Sequence, residues 1–384
     1  MTRPDLPFDT AEYARRLAAV RERMAARGID VLMTSVPENI YYLTGYDSMG
    51  YFTYQVLFVS VDQDMVFLTR ALNVDKASTY SCLKRVEGWD DLSSPAEATY
   101  ATLAKYGLGK KRLANQMDAW FLSVAHYKHI TARLGRDDLI DGSGIVESVR
   151  LKKSSQEIAY IRKAGEVCVA SLDAAIRATR AGTYDHLIAA DAHRALVAAG
   201  GEYLGHALQV CSGEEAGLSF ETWGRRRIRE NDCVYMEMGG TYRRYNIAMS
   251  RTVLVGRPDP RLKKMAEVSR DALAAARAKF KPGATSGEVD KAARDLISQA
   301  GLADAFKHRT GYSIGIGYPP DWGEGRLQSI KEGDPTVLEP GMVFHLIPDL
   351  KLAGLGGAVC SETLLVTDKG HEALTPYPYD AVQV

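Results

Sequence analysis

The chain has 384 residues, 46% hydrophobic and 25% charged, enough to bury one large core or two moderate ones, and the length favours two domains. Its 48 basic and 48 acidic side chains cancel, so there is no global field to hold nucleic acid or an anionic membrane, and neither is expected as a partner. The five cysteines are spread out with no CxxC pair, the start MTRPDLPF has no apolar leader core, and no run approaches the ~18 apolar residues of a spanning helix, which predicts reduced thiols and a cytoplasmic location.

Asp9 or Thr10 is placed to cap a helix that shows Tyr13, Leu17, Val20 and Met24 on one face and ends at Gly28. Residues 30–34 read as a strand, and the apolar runs 55–61 and 65–69, joined by Asp62-Gln63-Asp64, read as a hairpin or paired strands. A helical run near 95–106 and a strand-like run near 112–116 follow, which predicts an α/β domain over 1–152. Leu151-Lys-Lys-Ser-Ser-Gln-Glu then opens a long helix, with Ser154 or Ser155 as cap and Glu157 in the first turn, where a carboxylate suits the helix dipole. From there helices at 157–179, 184–199, 259–280 and 286–300 alternate with strand runs at 207–211, 232–239, 245–255, 341–348 and 360–367. That pattern predicts an α+β domain over 153–384 on a mostly antiparallel sheet.

Two segments carry the chemistry: RTGYSIGIGYPPDWGE at 309–324 and LEPGMVFHLIPD at 338–349. With Glu237-Met-Gly239, Ser250-Arg251-Thr252 and the run Asn39-Ile-Tyr-Tyr-Leu-Thr-Gly-Tyr-Asp47, they resemble the creatinase / aminopeptidase P / prolidase family, and within it the metal-independent ectoine hydrolase subgroup. The resemblance implies a creatinase-like α/β N-terminal domain and an α+β pita-bread catalytic domain. Two-metal members of that family use two Asp, one His and two Glu, and the matching positions here are Glu237, Ala248, Tyr312, Ile347 and Ser361, with Glu362 beside the last. Glu237 alone keeps a carboxylate, so the resemblance implies chemistry without a metal or other cofactor. The chain also departs from the metal-free members. Phe220 stands where a His follows the Ser212-Gly-Glu-Glu-Ala216 motif, and Asn246 and Val359 stand where ectoine hydrolases place a His and a Glu. The reaction class therefore carries over better than the substrate.

Glu237, on the otherwise apolar strand Val234-Tyr-Met-Glu-Met-Gly, is the candidate base or nucleophile, because an interior carboxylate is costly unless it has a task or partners. His345 is the candidate acid, and Tyr312 is placed to orient a substrate carboxylate or a water. His308, Asp321, Trp322, Phe220, Asn246 and Glu362 are expected around the substrate, although strand alternation lets only one of Ser361 and Glu362 face inward. Tyr41, Tyr51 and Tyr54 belong to a crowded aromatic segment that is either core or, as the resemblance implies for a homodimer, a wall over a small cation in the partner subunit's site. The expected activity is hydrolysis of a C–N bond in a small amidine, guanidino or cyclic compound. The alternatives are a metal-dependent Xaa-Pro peptidase and an inactive pita-bread binding module.

Overall fold

A computed structural model describes residues 6–137, 139–324 and 326–384. It divides into two compact units, Met1–Arg150 and Leu151–Val384.

The first unit is a sheet wrapped by helices. Its strands are β1 (Val31–Thr34), β2 (Val56–Ser60), β3 (Val66–Arg70), β4 (Arg85–Trp89), β5 (Leu113–Asn115) and β6 (Ile140–Asp141), in the order β4-β3-β2-β1-β5-β6. Around them run α1 (Thr10–Ala26), α2 (Pro37–Thr44), α3 (Val74–Thr79), α4 (Pro95–Lys105), α5 (Val124–Leu134) and α6 (Ile145–Arg150). The expected hairpin is present, with β2 antiparallel to both β1 and β3, while β1–β5 and β3–β4 are parallel. Asp9 caps α1 by accepting from the Glu12 amide at 2.7 Å, and of the expected apolar face the helix buries Tyr13, Val20 and Met24 while Leu17 is half-buried. One charged residue joins them in the core. Arg16 is fully buried between the rings of Phe8 and Tyr42, and its guanidinium bonds the Glu12 carboxylate and the Tyr42 carbonyl.

The second unit opens on α7 (Ser155–Ala178), whose N-cap Ser154 and Glu157 form a reciprocal capping box. It continues with α8 (Asp185–Ala198), α9 (Pro260–Lys279) and α10 (Ser286–Gln299). One sheet contains β7 (Gln209–Ser212), β8 (Cys233–Tyr242) and β9 (Tyr245–Leu254), joined at its edge by the terminal strand Val382–Gln383. The other contains β10 (Gly311–Ser313), β11 (Ser329–Ile330), β12 (Val343–Leu346), and then, beyond the small hairpin β13 (Leu350–Leu352) and β14 (Gly356–Ala358), β15 (Glu362–Thr367) and β16 (Gly370–Ala373). Apart from the terminal strand, every pairing in the two sheets is antiparallel.

The site lies where these sheets meet. The Ser361 amide donates to the Ser250 carbonyl at 3.1 Å, and the Thr363 hydroxyl donates to the Ala248 carbonyl at 2.7 Å, which ties β15 to β9. Two glycines on β8 permit the close approach. A side chain at Gly240 would run into the Ala164 carbonyl of α7, and one at Gly239 would meet the Trp322 ring at 2.6 Å.

Candidate active site

Strand register decides which side chains meet. Glu237 pairs with Gln209 on one side and Ser250 on the other, while Tyr312 pairs with His345 and His345 with Thr363. Because side chains alternate, Glu237, Gln209 and Ser250 share a face of their sheet, and Tyr312, His345, Thr363 and Ser361 share a face of theirs. The two sets converge. Gln209 Nε2 donates to Glu237 Oε2 at 2.9 Å, and His345 Nδ1 lies 3.9 Å from Glu237 Oε1.

A hydrogen-bonded chain runs away from the carboxylate. His345 Nδ1 is 2.9 Å from the Tyr312 hydroxyl, His345 Nε2 is 2.7 Å from Ser361 Oγ, and the Ser250 amide donates to that same Oγ at 2.6 Å. Trp322 Nε1 donates to the Tyr312 oxygen at 3.1 Å. Donor counting fixes the direction, since both His345 and Ser361 are fully buried and a stranded hydroxyl proton would be costly. Ser361 accepts from the backbone and gives its proton to Nε2, so Nδ1 carries hydrogen and donates to the Tyr312 oxygen. The phenol proton is then left for Glu237.

Electrostatics agree with that order. Burial pushes the Glu237 carboxyl up to about 7, the negative charge of Asp349 adds to the rise, and Lys351 and the Tyr312 hydroxyl oppose it. Burial pushes His345 down to about 3, so the imidazole is neutral near physiological pH and holds no extra proton to give away. Both ring nitrogens are engaged, by Tyr312 and Ser361, so His345 lies inside the hydrogen-bonded chain, whereas the sequence reading gave it the role of acid. Tyr312 is held well above its ordinary phenol value by burial and the nearby Glu237 charge, and it stays protonated.

The remaining sequence candidates separate cleanly. Trp322 is buried against Tyr312. Asp321 is exposed, but its charge still reaches Glu237. His308 bonds its own neighbour's carbonyl and burial lowers it to about 4, so it too is neutral. Asn246 is fully buried with its amide spent on Gly205, Thr241, Arg244 and Gly317, which makes it a brace and not a substrate contact. Phe220 is 82% exposed in the loop after β7 and does not join the Glu237 cluster. Glu362 faces the opposite side of β15, bonded to the Tyr379 hydroxyl at 2.9 Å and to Arg277 at 3.2 Å, so the inward residue of that pair is Ser361. In the first unit Tyr41 and Tyr54 are core side chains, Tyr54 bonding Thr99 at 2.7 Å, and they present no outward wall. Tyr51 is half-buried, edge-on to Phe121.

Several participants escaped the sequence reading. Asp349 pairs with Lys351 at 3.3 Å, and that ammonium lies 4.4 Å above the Tyr235 ring, two residues from Glu237 on the same strand face. Gln209 Oε1, Asp349 Oδ1 and Ser250 Oγ are buried without a hydrogen-bond partner, an arrangement that leaves polar groups for a small polar ligand. Beside the cluster a cleft of about 740 Å³ is lined by Leu204, Gly205, His206, Pro319 and Pro320 among others, and the His206 ring packs on Trp322 at 4.9 Å.

Family comparison matches this architecture. Residues 159–368 match Metallopeptidase family M24, and residues 16–152 match the Creatinase/Prolidase N-terminal domain. The chain belongs to family M24. It is 30% identical to the ectoine hydrolase of Halomonas elongata and 33% identical to an uncharacterized hydrolase/peptidase of Sinorhizobium fredii, with 98% of each chain covered in both cases. Among solved structures, a recombinant prolidase from Thermococcus sibiricus superposes with a TM-score of 0.88 at 24% identity, covering 98% of this chain and 100% of that one. Dipeptidase PepE from Mycobacterium ulcerans gives 0.84 at 25% identity, covering 98% and 99%.

The family name implies a metal, and the donors here do not fit one. Ala248 and Ile347 offer no ligand atom, and both His345 nitrogens are already engaged by Tyr312 and Ser361. Among the described residues, no group of three or more His, Cys, Asp or Glu is gathered as a metal site requires.

Proposed function

We propose that this M24 protein hydrolyses a C–N bond in a small amidine, guanidino or cyclic compound, in the manner its relative's name, ectoine hydrolase, describes, and that it does so without a metal. The observation that carries the reading is the Glu237 carboxyl, buried and raised to about 7, at the head of a neutral Tyr312–His345–Ser361 chain. A carboxyl with that affinity serves as base and acid in turn near neutrality. Glu237 takes a proton from water as the oxygen bonds to the electrophilic carbon. The C–N bond then breaks, and the same proton passes from Glu237 to the departing nitrogen. Tyr312 steadies the carboxylate with its own proton, fixed in direction by His345 and Ser361.

Glu237→Gln tests this directly. The amide keeps the shape but cannot accept the proton, so turnover should fall by about 10²–10⁴ while circular dichroism stays unchanged. Near-normal turnover in the folded variant would move the base elsewhere. The competing reading, an Xaa-Pro peptidase, is favoured by the dipeptidase and prolidase neighbours, and it needs a metal site that these donors do not supply.

A further inference from the structure

We infer that Arg309 is the carboxylate anchor of this site and that the ligand is therefore a zwitterion. Its anionic end would sit on Arg309, and its nitrogen-bearing end would face Glu237, Asp349 and Gln209. This inference rests on the hydrolase reading only for where the scissile bond lies. Arg309 has its guanidinium carbon 5.1 Å from the centre of the Tyr312 ring, and its Nε is buried with no acceptor. Among the described residues no carboxylate pairs with it, because the acids nearby are committed. Asp290 accepts from the Thr310 amide and hydroxyl and from Arg294, Asp349 holds Lys351 through Oδ2 alone, and Asp321 caps the Gly323 amide at 2.8 Å.

A buried donor without a partner is expensive, and an arginine fork is the group best shaped to clasp a carboxylate with two parallel bonds. The opposite end of the cluster has the complementary character. Gln209 Oε1 and Asp349 Oδ1 are buried acceptors with no donor, both grouped with Glu237, and these two carboxyls outnumber the single Lys351. One phenol ring, Tyr312, separates the two ends, so the ligand is small, with its carboxylate a few bonds from its N–H groups.

The test uses the full chain and two neutral or charged probe pairs. By saturation-transfer NMR the wild type should bind acetate in preference to acetamide, Arg309→Met should lose at least about tenfold in acetate affinity, and Arg309→Lys should fall between them. Glu237→Gln should keep acetate binding even as it loses turnover, which separates failure of the anchor from failure of the chemistry. With ectoine and its methyl ester as substrates, Arg309→Met should raise KM for the acid by about tenfold or more with little change in kcat, and leave the ester unaffected. Acetate binding unchanged in Arg309→Met, or equal losses for acid and ester, would overturn the assignment. If Arg309→Met does not fold, wild-type acetate affinity in Arg309→Lys would overturn it equally.

Discussion

At the residue scale the central quantity is the proton affinity of Glu237. Its carboxyl is raised to about 7, first by burial and then by the charge of Asp349, so the base form is populated only as pH climbs through that value. The kcat/KM profile should therefore rise with an apparent pKa near 7, facing groups Tyr312 and His345 contributing no charge change in that window. Asp349→Asn removes the larger of the two neighbouring negative charges and should move the rising limb to lower pH. A profile flat from acid to alkaline pH, or a limb that moves upward, would remove Glu237 from the base role. Glu237 itself was legible in the sequence because a carboxylate stood in an apolar strand at a family position. Asp349 and Gln209 were not: Asp349 lies at the end of the 338–349 segment and Gln209 on a separate strand, and neither shows in sequence that its side chain turns toward Glu237.

At the scale of single elements, alternation along β15 does much of the sorting. It turns Glu362, the first residue of the strand, toward Arg277 and Tyr379 and leaves Ser361, just before it, facing His345, and the sequence alone narrowed the choice to one of the two without selecting it. Ser361→Ala should leave the Ser250 amide and one His345 nitrogen buried without partners. The expected cost is about 1–3 kcal/mol, read by chemical denaturation, together with reduced turnover as His345 loses its fixed tautomer. A variant as stable and active as the wild type would mean that the chain of hydrogen bonds is incidental. Helix positions were the most readable elements, since Ser154 and Glu157 announce α7 by a reciprocal cap and three of the four apolar positions expected on α1 are buried, Leu17 being the exception. The short strands β10 and β13 were not read, because three residues carry too little periodicity to distinguish a strand from a loop.

At the scale of the whole molecule, two units with M24 and Creatinase/Prolidase N-terminal relatives were anticipated by motif resemblance, whereas the sequence left Tyr41 and Tyr54 open between core and outer wall, because local density of aromatics does not tell core from surface, and the structure buries both. The exposed side chains of that segment are instead Met49 and Phe52, 68% and 77% open. The family resemblance implies a homodimer, and we propose that two copies associate and cover them. Light scattering should give twice the mass of the chain, and Phe52→Glu should shift the population toward single chains; a monomer at all concentrations would contradict this. The central claim is C–N hydrolysis without a metal. The most direct measurement is mass spectrometry of ectoine and of Gly-Pro incubated with chelator-treated protein, with and without added manganese. The account predicts a gain of one water by ectoine at a rate indifferent to manganese, and no cleavage of Gly-Pro. Gly-Pro cleavage that appears only with manganese would contradict it.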